Sequence, residues 1–158
     1  MASVGKVAYT TAEGRQELLD SLATATDAIG LALASLGEAY EQLDEHNGDR
    51  LEAELFGPVQ RAYGRAKAAH SQFAERHGLA RRTFESAAPG LPSTGAKGFI
   101  DSAVAAVSDS DADLAELQDS GLPGEVGDVE VRAAISEVRA LLAGVRQNAR
   151  ALERTLGR

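Results

Sequence analysis

The chain contains no cysteine and no tryptophan, one methionine, four prolines in 158 residues, and aromatics at only 4% of its composition. Without cysteine there is no disulfide, no thiolate zinc site, no cysteine-held iron–sulfur cluster and no thiol nucleophile. Scarce aromatics leave alanine to dominate an apolar fraction of 44%, so helices must approach closely to exclude water. Basic residues are also in deficit: 16 Lys and Arg stand against 24 Asp and Glu, a formal charge of −8. That balance argues against nucleic acid and anionic membranes as partners, because affinity for phosphates comes from clustered Lys and Arg. The start of the chain has no apolar segment of signal-peptide length, and no continuous apolar run reaches 18 residues. The expectation is a soluble, cytoplasmic protein, and the excess of Arg over Lys, thirteen to three, points to a GC-rich bacterial genome.

What is present is helical periodicity. From Thr11 to Glu45, Leu22, Ile29, Leu36 and Leu43 recur every seven residues, flanked by the rows Leu19, Thr26, Leu33, Tyr40 and Leu18, Ala25, Ala32, Ala39. This apolar face is wider than a dimeric coiled-coil seam. Such a helix spans roughly 50 Å at about 1.5 Å per residue and requires long partners. Three follow. The spacing predicts helices over about 11–46, 50–77, 96–120 and 128–157, with residues 1–10 as a loose arm and 78–94 as a flexible connector.

The expected boundaries rest on local chemistry. Thr10 with Glu13 has the form of a capping box, Asn47-Gly48 that of a left-handed helix stop, and Asp49 with Glu52 that of a restart. Gly57-Pro58 predicts a kink or a separate short turn. Gly78 with Leu79 fits a Schellman ending, and Asp128 is placed to cap the last helix. The Ser-Asp-rich run 108–113 is poor helix material and predicts a local weakness. Gly30 offers close approach to a neighbour. The fold expected is all-α: a single four-helix bundle of two long antiparallel helical hairpins. The connector reaches far enough for either an up-down-up-down or a crossover arrangement, so connectivity stays open.

Several chemistries fail on spacing. The residues three before His46, His70 and His77 are Leu43, Lys67 and Ala74, so no Glu-x-x-His pair of a di-metal bundle exists. Asp109, Asp111 and Asp113 alternate like calcium-loop ligands, but the sixth and twelfth positions are Leu114 and Ser120 instead of Gly and Glu; a solvated acidic face is expected. Gly95-Ala96-Lys97-Gly98 lacks the phosphate-loop spacing, and no serine sits in Gly-x-Ser-x-Gly.

Two constellations remain. Tyr63, His70 and His77 lie at spacing seven on one helix face and form the candidate set for a metal or small-molecule pocket. Arg132, Arg139 and Arg146 also recur at seven and form a candidate docking ridge for a partner. A third pattern is Tyr40 to Asp44, and likewise Tyr9 to Glu13, which match Tyr-x-x-x-Asp/Glu. In this and in outline, residues 11–77 resemble the secreted helical hairpins of the WXG100 (ESX) type, though the turn reads His-Asn-Gly where that family has Trp-x-Gly. The resemblance implies export without a cleavable signal peptide.

The reading carried forward is a non-enzymatic bundle, with no catalytic residue and no cofactor, acting through protein–protein interaction or self-association as a homodimer or with a protein partner. The alternatives are a metal- or small-molecule-binding bundle using Tyr63, His70 and His77, and the exported hairpin.

Overall fold

No proline falls between Ala2 and Glu41, and the computed structural model has this span as one 40-residue helix, α1 (Ala2–Glu41). It describes residues 2–89 and 95–157, with side chains from residue 11 on. The backbone of residues 2–10, expected as an arm, therefore continues the helix. Thr-x-x-Glu marks a helix start only where the chain upstream is forced out of helical geometry, and nothing here forces it.

α1 also stops earlier than Asn47-Gly48. Gln42 and Leu43 close it with tight backbone bonds to Ala39 and Tyr40, and Asp44 caps α2 (Glu45–Leu51) by accepting from the Asn47 N–H while Asn47 Nδ2 donates back at 2.7 Å. Asp44, not Asp49, is the restart. Gly48 lies inside α2, where its missing side chain makes room for the Tyr40 ring.

Pro58 is absorbed without a break. The chain widens into a π-helical turn, Glu52–Phe56, in which the Gly57 N–H reaches back to the Glu52 carbonyl. α3 (Gly57–Arg76) then carries Pro58 in its first turn, where a missing N–H costs least. Pro58 has no N–H to return to the Glu54 carbonyl, and Asn148 Nδ2 donates to that oxygen at 3.2 Å. Removing this donor with Asn148→Ala is expected to destabilise the fold by about 1–2 kcal/mol. A urea titration should show a lower midpoint with an unchanged m-value.

α3 ends as expected: Gly78 takes φ +67°, and the Leu79 N–H bonds the Ala74 carbonyl at 2.8 Å, the long bond of a Schellman motif. The connector holds to the bundle through Arg82, 2.9 Å from Asp27, and Phe84, edge-on to His70; positions 90–94 of the expected connector lie outside the described residues. α4 (Gly95–Asp119) follows, then the single turn α5 (Leu122–Glu125), α6 (Val129–Leu142) and α7 (Val145–Leu156). The fourth expected helix is thus interrupted at Ala143-Gly144, while Asp128 caps it as expected, accepting from the Val131 N–H at 2.8 Å.

Among the described residues there is no strand, and the protein is all-α. The most extensive contacts join α1 to α4, α3 to α6 and α1 to α3, with α7 on α4 and on the π-helical turn. Residue numbers rise along one partner as they fall along the other. Gly14 meets Val126 while Ala25 meets Ser110, and Arg65 pairs with Glu137 while Arg76 pairs with Asp128. Gly30 faces the Tyr63 ring, whose nearest atom would sit 3.1 Å from an added Cβ, so glycine sets the close approach of α1 and α3.

The three α1 rows supply much of the core: Leu18, Leu19, Leu22, Ala25, Ile29, Ala32, Leu36 and Ala39 are buried against Leu55, Val59, Phe73, Phe99, Ile100, Leu114, Ile135 and Val138. Each large apolar side chain so buried contributes about 1.5–3 kcal/mol. The 108–113 run is continuous helix. Ser110 is fully buried and donates to the Ala25 carbonyl at 2.9 Å, so its hydroxyl joins α4 to α1 instead of weakening α4. Thr11–Glu41 is long and apolar enough to cross a membrane by length and composition, and 56% of its most apolar window is buried within the fold.

Candidate functional site

α3 presents Tyr63, His70 and His77 along one face, but each meets different surroundings. Tyr63 lies against Gly30 with the Lys67 ammonium 4.3 Å from its ring centre, and burial, helped by Asp27, raises its phenol above the ordinary value. His70 is 3% exposed, sits edge-on beneath Phe84, and its Nδ1 is buried without a hydrogen-bond partner. Burial, then the nearby Arg82 charge, lowers its basicity against the opposing pull of Asp20 and Asp27. His77 packs on Phe73 and places Nε2 2.9 Å from the Asp128 carboxylate. The helix thus aligns the three residues without bringing them into one site, and among the described residues no group of three or more His, Asp or Glu is arranged to hold a metal ion.

Asp128 is the most heavily used carboxylate. It caps α6 through Val131, receives Arg76 Nε at 2.6 Å and Nη2 at 2.9 Å, and meets His77. Burial opposes its ionisation, yet the hydrogen bonds from Arg76, Val131 and His77 hold it at about 2. One side chain therefore joins the end of α3 to the start of α6.

The arginine ridge is likewise divided. Arg139 grips Asp111 at 2.8 Å and Gln118 at 2.8 Å, and Arg132 donates to the Pro123 carbonyl at 3.3 Å. Asp111, read from sequence as part of a solvated face, is thus an anchor for Arg139. Arg146 is exposed and held by no ion pair among the described residues, and Arg150 and Arg154 beyond it are in the same condition. The unpaired arginine stripe is 146, 150, 154, displaced along the helix from the ridge read at spacing seven.

Beside that stripe, Glu153 of α7 faces Asp101 of α4. Burial and the neighbouring Asp101 carboxyl push Glu153 up to about 7, against the pull of Lys97 and Arg150. A carboxyl that is buried and faces a second one is held back from ionising, so Glu153 contributes less negative charge near neutrality than an exposed glutamate.

A further feature was not singled out by sequence reasoning. Gly37, Tyr40 and Glu41 of α1 and Glu52 and Phe56 of the π-helical turn line a groove at the end of the fold where α1 passes into α2. Tyr40 is 41% exposed, Phe56 is half-buried, and an added Cβ at Gly37 would touch nothing. The periodicity did contain the signal: Tyr40 continues the Leu19 row to the last turn of α1, where its ring packs on Gly48 and stays 41% exposed. The Tyr40–Asp44 pattern has local uses here, Tyr40 packing on Gly48 and Asp44 capping α2. The side chain of Tyr9, in the second copy of the pattern, lies outside the described residues.

No family model matches the chain, and neither the curated proteins nor the solved structures contain a match to it.

Proposed function

We propose that this protein is a non-enzymatic helical-bundle module working through protein–protein interaction or self-association, with the Gly37–Tyr40–Phe56 groove as its contact surface. The opposed registers of α1 with α4 and of α3 with α6 support a four-helix bundle of two antiparallel hairpins, α1 with α2–α3 and α4 with α6–α7. In that arrangement α3 and α4 run parallel and the connector travels the length of the bundle, the crossover alternative.

The observation that carries the functional reading is the groove itself. Tyr40 and Phe56 offer apolar rings beside open space at Gly37, and aromatic residues in a concave surface are the usual anchors of an interface. His77, Arg139 and Ser110, by contrast, are spent on internal contacts.

Gly37→Leu tests this directly. The new side chain enters open space, so the fold is preserved and helix propensity rises by up to about 1 kcal/mol, while the groove is filled. Native mass spectrometry of protein isolated from its own host is expected to show the unmodified chain with a second copy or a stoichiometric protein companion, and Gly37→Leu without it. A retained metal or small molecule in both forms, with no protein companion, overturns the reading in favour of Tyr63, His70 and His77.

A further inference from the structure

The groove has a chemical character that narrows its occupant. Glu41 and Glu52 stand on its two sides, and Glu38, Asp44, Glu45 and Asp49 surround the same end; all are exposed, and no ion pair among the described residues neutralises any of them. The nearby Arg50 is turned to Glu54 and Thr155. An aromatic ring beside unpaired carboxylates is a site for guanidinium: the carboxylates take its N–H groups and the ring its face.

The chain carries the matching element. Arg146, Arg150 and Arg154 recur every four residues on α7 and so lie on one side of that helix within about 12 Å, at about 1.5 Å per residue. All three are exposed. Lys97 joins Arg150 and Arg154 along the α4–α7 seam. The groove opens between α1 and the π-helical turn, whereas the stripe borders α4. The two surfaces sit at the same end of the molecule, and no arginine of the stripe forms an ion pair with a carboxylate of the groove among the described residues.

We infer that the groove receives the arginine stripe of a second copy, so that this protein associates head to tail through Tyr40, Glu41, Glu52 and Phe56 on one molecule and Arg146, Arg150 and Arg154 on the next. This rests on the groove being the contact surface proposed above. A single such contact leaves each molecule with one groove or stripe free, and a two-fold pair in which each groove takes the other copy's stripe is the smallest closed form. Growth continues unless the rotation closes a ring.

Sedimentation velocity on the full chain tests this with two charge reversals at exposed positions, Glu41→Lys with Glu52→Lys, and Arg150→Glu with Arg154→Glu. Unmodified protein is expected to rise in average mass with concentration across the micromolar range, and to lose that rise in high salt, since exposed charge pairs are screened. Each reversed variant alone is expected to be monomeric. Mixed, they are expected to associate again, because the intact stripe of the first meets the intact groove of the second and the reversed groove and reversed stripe are of opposite charge in their turn. Circular dichroism of each variant confirms that it is folded.

A monomeric unmodified protein overturns the inference, as does a mixture that stays monomeric. A symmetric dimer that survives in either variant alone does so equally. If the unmodified chain is monomeric yet retains a different protein in a Gly37-dependent manner, the second-copy assignment fails and the interaction reading stands. If it retains a metal or small molecule instead, both fail.

Discussion

Phe73→Ala is expected to lower stability by about 4 kcal/mol, well within the range for truncating a buried phenylalanine. Phe73 is fully buried, and its α3 neighbours on the core side are Ala66, Ala69 and Ala74. The cost of such a truncation has a transfer part and a cavity part, and the cavity part is reduced only where surrounding side chains can move into the space. Alanine has no rotamer to change, so a core this rich in alanine cannot refill the hole. The residue also supports the His77 ring at 4.4 Å, and its loss loosens the group that meets Asp128. Chemical denaturation read by circular dichroism gives the value directly. A loss below about 2 kcal/mol would mean that the backbone collapses onto the cavity, against the rigidity expected of closely packed helices.

Asp128→Ala is expected to cost about 3 kcal/mol, combining the lost cap of α6 with the lost partner of Arg76 and His77. Asp128→Asn separates the two parts, because asparagine caps as well as aspartate and only the charge is removed. In the folded protein this carboxyl lies at about 2, below its ordinary 3.8, and a difference of that size corresponds to about 2 kcal/mol at neutral pH. A depressed carboxyl contributes fully above its unfolded value and is lost as pH falls through the folded one. The gap in stability between the unmodified chain and Asp128→Asn should therefore be constant near neutrality and close between about pH 4 and pH 2. Thermal melts of both proteins across that range measure it. The absence of any gap at neutral pH would show that Asp128 acts through its cap alone.

How much of this was legible in the sequence differs by feature. The heptad rows of α1 were read correctly as core because burial on a helix repeats with the backbone's own period, and nearly every member of the Leu18 and Leu22 rows is buried. The Gly78 stop, the Asp128 cap and the close approach at Gly30 were legible because each is decided within a few residues or by the lack of a side chain. The restart of the second helix was assigned to Asp49 because Asn47-Gly48 resembles a stop, but Asp44 and Asn47 bond to each other first and draw that glycine into α2. The interruption at Ala143-Gly144 was not foreseen, since the valine and leucine spacing runs through it unchanged.

The candidate residues were harder. Tyr63, His70 and His77 share a face, but a face is not a site: Gly30, Phe84 and Asp128 come from α1, the connector and the turn before α6, and they separate the three. The arginines were grouped by heptad spacing, whereas what distinguishes them is whether a carboxylate of another helix reaches them. Arg139 has Asp111 and Arg146 has none, a difference no spacing along one helix can reveal.

The sequence by itself determined an all-helical chain, the rows that face inward, most of the helix ends and the exclusion of thiol chemistry, because these follow from composition, from the 3.6-residue period and from contacts within a turn. Only the tertiary structure decided which polar side chains are spent internally, that Pro58 is absorbed by a π-helical turn whose carbonyl Asn148 satisfies, and that Tyr40 and Phe56 stand over open space beside unpaired carboxylates. Those outcomes depend on which distant segment arrives at each position, and on how far its helix extends, quantities that periodicity along one chain does not encode.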